Sequence, residues 1–201
     1  MIKAVIFDFG NVVSRFDLGV LVKNVQRYTA LAPPDVMKAF TDGNLIRLYE
    51  TGEISTDEFL SSVIDRGRFE MTKEALISAY SDMFQPIPTT GALIRALKPR
   101  YKVGLLSNTN ELHFENVIRQ TDVFGLFDTV TLSFEVKVMK PAKEIYDDAL
   151  AKLRLAPGEC IFVDDLKENI EAANTMGFVG IHYTSHSELM TALREYLPVH
   201  Q

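Results

Sequence analysis

The chain has 201 residues, 47% of them hydrophobic, and a formal charge of −6 from 27 acidic against 21 basic side chains. This is enough apolar material for one α/β domain or a core with a small accessory module, and an acidic balance without a long basic run excludes nucleic acid as the main partner. No apolar stretch approaches the roughly 20 residues of a membrane span, Met1-Ile2-Lys3 leads straight into the first apolar run, and the single Cys160 has no intrachain partner, so a soluble, cytoplasmic protein is expected.

The run Ala4-Val5-Ile6-Phe7 reads as a buried strand that delivers Asp8 into the turn Phe9-Gly10-Asn11-Val12. Helical periodicity follows as far as residue 84. Asp17 is placed to cap a helix with Leu18, Leu21, Val22 and Val25 on one face, and Pro33-Pro34 opens a second. A third covers Leu45 to Tyr49, ended by Thr51-Gly52, and Ser55 with Glu58 forms a capping box for a fourth that carries Phe59, Leu60, Val63 and Ile64. Residues 72–84 form the fifth, no strand is predicted among them, and Pro86-Ile87-Pro88 closes the region.

From Thr89 onward helix and strand alternate. Helices are predicted to Lys98 and over 111–120, 142–153, 167–176 and 186–196, and strands over 102–107, 128–132, 160–164 and 179–182. Such alternation predicts the α/β class, with a parallel sheet covered on both faces. Residues 1–16 and 88–201 would form that core, and 17–87 an inserted helical module.

Four apolar runs end in polar residues: Asp8 after the first, Ser107-Asn108-Thr109-Asn110 after Val103 to Leu106, Lys140 after Val138-Met139, and Asp164-Asp165 after Ile161-Phe162-Val163. In an open parallel sheet, groups at the carboxyl ends of separate strands converge on one crevice. A carboxylate, a hydroxyl, an ammonium and a carboxylate pair suit phosphoryl transfer, and adjacent carboxylates repel unless a cation is near, which points to a hard metal ion. Taken singly, each has a plainer reading. Ser107 is also a good helix cap, Lys140 a good surface residue, and Asp8-Phe9-Gly10 a kinase-like tripeptide that here lacks a glycine-rich loop.

The order and spacing of the four motifs, from Asp8 to Asp165 and the helix beyond, resemble the haloacid dehalogenase superfamily of phosphatases. The Asp-x-Gly-Asn-Val, Ser-Asn-Thr-Asn and Asp-Asp-x-x-x-Asn-Ile forms are most similar to its small bacterial sugar-phosphate phosphatases, of the α-glucose-1-phosphate type. The resemblance implies a Rossmann-like core with a small helical cap over 17–87. It implies Asp8 as a nucleophile that forms an aspartyl phosphate, with Ser107, Asn108 and Lys140 on the phosphoryl group. It also implies Mg²⁺ held by Asp8, the Gly10 carbonyl and Asp165, with Asp164 beside them. The substrate it implies is a small phosphorylated metabolite, foremost a sugar phosphate such as glucose 1-phosphate. Oligomeric state is left open.

Asn169 falls one helical turn past Asp165 and could orient a ligand, whereas Asn11, Thr109 and His113, which fits the same subgroup's pattern, are weaker candidates. Arg47 and Glu50 are the residues of 17–87 considered for substrate contact, against a solvated helix face. Gly10 departs from the superfamily, most of whose phosphatases carry a second aspartate there to protonate the leaving group. Losing such help costs about 10²–10⁴ in rate, which favours leaving groups that need little protonation, unless Asp17 or a cap residue substitutes. Two alternatives follow from the same residues: metal-independent 2-haloacid dehalogenase chemistry at Asp8, and a catalytically weak member that binds a phospho-ligand or a protein.

Overall fold

The computed structural model describes residues 1–197, so the last four residues of the predicted core lie outside it. β1 (Ala4–Phe7) and a short strand β2 (Ser14–Phe16) precede five helices, α1 (Leu18–Gln26), α2 (Pro33–Thr41), α3 (Leu45–Glu50), α4 (Thr56–Gly67) and α5 (Lys73–Ser81). β3 (Phe84–Pro86) and α6 (Pro88–Leu97) lead into β4 (Lys102–Ser107), α7 (Glu111–Asn116), β5 (Thr129–Leu132) and α8 (Ser133–Val136). The described part closes with α9 (Lys143–Leu153), β6 (Cys160–Asp164), α10 (Lys167–Thr175), β7 (Val179–His182) and α11 (His186–Tyr196).

Five strands form one parallel sheet in the order β5-β4-β1-β6-β7. Alternation within the strands feeds two cores, because successive side chains leave opposite faces. Val5, Phe7, Val103 and Leu105 pack with Ile94 of α6 and Leu189 of α11, while Ala4, Ile6, Leu106 and Phe162 pack with Tyr146 of α9 and Ala173 of α10. Both faces are thus covered, which is why the strands read as unbroken apolar runs. The chain leaves central β1 for β4 on one side and returns for β6 on the other, so the carboxyl ends of these three strands flank the switch point at which such sheets bind ligands.

The five helices between β2 and β3 have a core of their own around Leu21, Phe40, Phe59 and Tyr80, closed by Leu112 from α7. Against expectation, the region is entered and left through strands: β2 pairs antiparallel with β3, Ser14 opposite Pro86 and Phe16 opposite Phe84. The last predicted helix therefore stops at Ser81, and that over 111–120 breaks after Asn116. Lys140 also differs from expectation, since it follows α8 and a loop instead of a strand. The Ser55–Glu58 capping box is formed, with Glu58 N–H on Ser55 Oγ at 3.2 Å and Ser55 N–H on Glu58 Oε2 at 2.8 Å. Ser55→Ala should cost about 1 kcal/mol, read as a lower urea midpoint with an unchanged slope; an unchanged midpoint would mean that packing alone holds α4. Among the described residues no helix is long and apolar enough to cross a membrane.

Candidate active site

Asp8 is the first residue beyond β1, its N–H bonded to Val163 O at 2.8 Å, so the central strand and its neighbour fix the carboxylate's position. The turn after it closes on Phe9 O, which accepts from the N–H groups of Val12, Val13 and Ser14. Asn11 sits in that turn at φ +54°, a left-handed conformation that asparagine tolerates. Its amide donates to Asp165 Oδ2 at 2.9 Å. Ser107 and Asp164 are the last residues of β4 and β6.

Lys140 reaches this crevice because Asn108 holds its backbone on both sides: Lys140 N–H donates to Asn108 Oδ1 at 2.7 Å, and Asn108 Nδ2 donates to Lys140 O at 3.1 Å. The buried ammonium then bridges Asp8 Oδ1 and Asp164 Oδ2, each at 2.7 Å, with Leu106 O at 3.1 Å. Asp164 is fully buried, and its two oxygens also accept from Leu166 N–H at 2.8 Å and Asn169 Nδ2 at 3.0 Å. Asp164 thus positions Lys140 and the start of α10 and, unlike Asp8 and Asp165, does not line the cavity above them. Only one of the two Asn108 amide N–H groups is spent on the Lys140 backbone.

The charges act on one another strongly. Burial above all, helped by Asp164 and Asp165 and opposed by Lys140, pushes the Asp8 carboxyl up to about 7 in the metal-free protein. Lys140 is held above the ordinary lysine range, because Asp8 and Asp164 outweigh the burial that alone would lower it. One carboxylate oxygen from each of Asp8, Asp164 and Asp165 lies within 4.8 Å of the others, and buried Asn169 Oδ1 has no hydrogen-bond partner among the described residues. An all-oxygen, anionic donor set of this kind fits a hard divalent cation, with Asp8 and Asp165 the carboxylates left to hold it.

Above these groups lies a cavity of about 360 Å³ lined by both the sheet's crevice and the five-helix region. Asp8, Asn11, Ser107, Thr109, Lys140, Asp165 and Asn169 all face it. Three candidates do not, one of them the fully buried Asp164. Asp17 caps α1 through Gly19 N–H at 2.7 Å, and exposed Arg47 pairs with Glu53 at 3.3 Å. Glu50 does line the cavity, because Ser133 Oγ binds its carbonyl at 2.6 Å and draws the end of α3 over the site. Burial and the nearby Asp8, against Lys140, push its carboxyl up to about 7. The same Ser133 Oγ accepts the Thr109 N–H at 2.9 Å, so that donor is not free for a phosphate.

His113 is buried against Tyr80, rings 4.1 Å apart, and burial lowers its imidazole to about 3, so it stays neutral. Cys160 is buried in β6, where burial raises the thiol to about 11, as befits a strand residue. A Cβ added at Gly10 would touch the Phe16 ring at 3.4 Å, so an aromatic ring borders the space a second aspartate would enter. The aromatic wall of the cavity and the Asn108–Lys140 clamp escaped sequence reasoning. The only trace of the former was the density of Phe and Tyr between Phe9 and Phe84.

A D-ribitol-5-phosphate phosphatase of Bacteroides thetaiotaomicron is 30% identical over 188 residues, spanning 89% of this chain and 90% of its own. A sesquiterpene phosphatase of Aspergillus oryzae is 27% identical over 197 residues, 96% of this chain and 95% of its own. In fold, the chain is similar to a haloacid dehalogenase family enzyme of Bacteroides thetaiotaomicron solved with magnesium and inorganic phosphate, at a TM-score of 0.81 and 22% identity over 90% of this chain and 94% of that one. With a model of haloacid dehalogenase-like hydrolases matching residues 2–177, this chain belongs to that family of hydrolases.

Proposed function

We propose that the protein is a Mg²⁺-dependent phosphomonoester hydrolase that works through an aspartyl phosphate at Asp8 on a small phosphorylated metabolite. The observation that carries this reading is the buried Lys140 ammonium, 2.7 Å from both Asp8 and Asp164, under a cavity that also exposes Asp165. A carboxylate attacks phosphorus only if negative charge is neutralised locally, and Lys140 supplies one fixed cation for both the nucleophile and the incoming phosphoryl oxygens. Asp8, the Gly10 carbonyl and Asp165 would hold the metal, which when bound supplies further charge neutralisation and fixes in-line geometry. Ser107 donates its hydroxyl to a phosphoryl oxygen, and Asn11 keeps Asp165 oriented through its 2.9 Å bond.

In this reading residues 17–87 act as a cap that shields the phosphoryl group from bulk water, and 1–16 with 88–201 form the catalytic core. The ribitol-phosphate phosphatase supports a small phosphorylated metabolite as the substrate. Phosphate release from an aryl ester should require Mg²⁺ and stop on chelation. Asp165→Ala should lose metal-supported turnover while its circular dichroism spectrum stays that of the wild type. Full activity in chelator, or in that variant, would contradict the metal assignment.

A further inference from the structure

We infer that the alcohol released from the phosphate is an apolar aromatic one, a phenol or naphthol, in place of a polyol. This rests on the phosphomonoesterase reading and concerns what the cavity selects within it. Of the nine side chains that residues 17–87 place around the cavity, Glu50 alone is charged. Tyr80 stacks on His113, and the Phe84 ring meets His113 edge-on with centroids 4.8 Å apart, so one wall is a continuous aromatic surface. Phe40 and Met83 extend it.

The mouth is apolar too. Phe16 (40% exposed), Leu18 (43%) and Leu166 (48%) are three of the five large hydrophobic side chains left exposed among the described residues, and all three line this cavity. Exposed apolar residues gathered on one opening mark a binding surface, whereas scattered ones mean nothing. A polyol set against the apolar side chains of residues 17–87 would leave hydroxyls there without partners, each costing about tenfold or more in affinity. A flat ring instead finds edge and face contacts. An apolar cavity of about 150 Å³ admits a benzene; the 360 Å³ here accommodates a phosphoryl group with one or two fused rings.

Gly10 points the same way. The Asp8 oxygen forms the new O–P bond, the aryl O–P bond breaks, and its electron pair leaves on the phenolate, which is stable enough to depart unprotonated and takes its proton from water afterwards. A second water then attacks phosphorus, its proton neutralising the hydroxide left by the first, the Asp8 O–P bond breaks, and phosphate leaves with Asp8 restored. The sum is ester plus water giving phenol plus phosphate, with no acid required at residue 10.

The test has two arms, both with Mg²⁺ and the full chain. Calorimetry of benzylphosphonate against methylphosphonate isolates the ring from leaving-group chemistry, and the ring should tighten binding at least tenfold. Phosphate release is then compared for 1-naphthyl phosphate, phenyl phosphate, glucose 1-phosphate and ribitol 5-phosphate. The aryl esters should have the higher kcat/KM, and Leu18→Ser should raise the KM for 1-naphthyl phosphate severalfold. A ring that tightens binding less than twofold, or a sugar phosphate with kcat/KM above that of 1-naphthyl phosphate, overturns the inference and leaves the phosphatase reading standing. No release from any of the four esters removes that reading and this inference with it.

Discussion

Asp8→Asn is expected to lower phosphate release by on the order of 10⁴-fold or more, because an amide cannot form the covalent intermediate and the remaining groups only bind and polarise. The fold should survive. Asp8 has a carboxyl raised to about 7, above its unfolded value, so in the metal-free protein the folded state binds the extra proton, and the carboxyl's contribution to stability is fully present below pH 4 and lost as pH rises to about 7. Asparagine has no such dependence. Metal-free Asp8→Asn should therefore gain on the wild type in thermal unfolding between pH 5 and pH 8. A variant that becomes relatively less stable over that interval would show that the ionised carboxylate is stabilised by Lys140 more than burial disfavours it.

Lys140→Met should be damaging in both activity and stability. It leaves Asp8 and Asp164 facing one another in the crevice, the latter fully buried, and removing one member of a buried ionic set costs about 3–5 kcal/mol. The sign of the pH dependence follows. Without the ammonium, nothing opposes the burial that raises Asp8 in the folded state, so stability is lost as pH rises and recovered as that carboxyl protonates on acidification. Denaturant titrations at pH 8 and pH 5 should show a large deficit that shrinks at the lower pH, with turnover lost at both. An equal deficit at the two values would mean that packing of the lysine stem, not charge, sets the loss.

Much of this architecture was legible because buried parallel strands leave a simple trace. Ala4 to Phe7, Val103 to Leu106 and Ile161 to Val163 are covered on both faces and cannot alternate with polar residues, so each polar residue that ends such a run stands out. Caps are equally local, which is why Asp17 and Ser55 were readable. The paired strands β2 and β3 were not, because three residues with exposed Arg15, Phe16 and Pro86 carry no apolar alternation. Lys140 was misplaced for a related reason: Phe134, Val136 and Val138 alternate like a strand, yet the chain turns through α8 and Lys137 at φ +69°. What long-range contacts decide left no signal. Asn108 clamps Lys140 across 32 residues, and Ser133 draws Glu50 inward across 83.

Covalent catalysis at Asp8 is tested most directly by a crystal structure of the wild-type protein with Mg²⁺ and beryllofluoride, which forms a stable mimic of an aspartyl phosphate. Beryllium should be bonded to a carboxylate oxygen of Asp8, with the Lys140 ammonium beside its fluorides. Beryllofluoride bound elsewhere, or held in the cavity without a bond to Asp8, would contradict the nucleophile on which the proposed function rests.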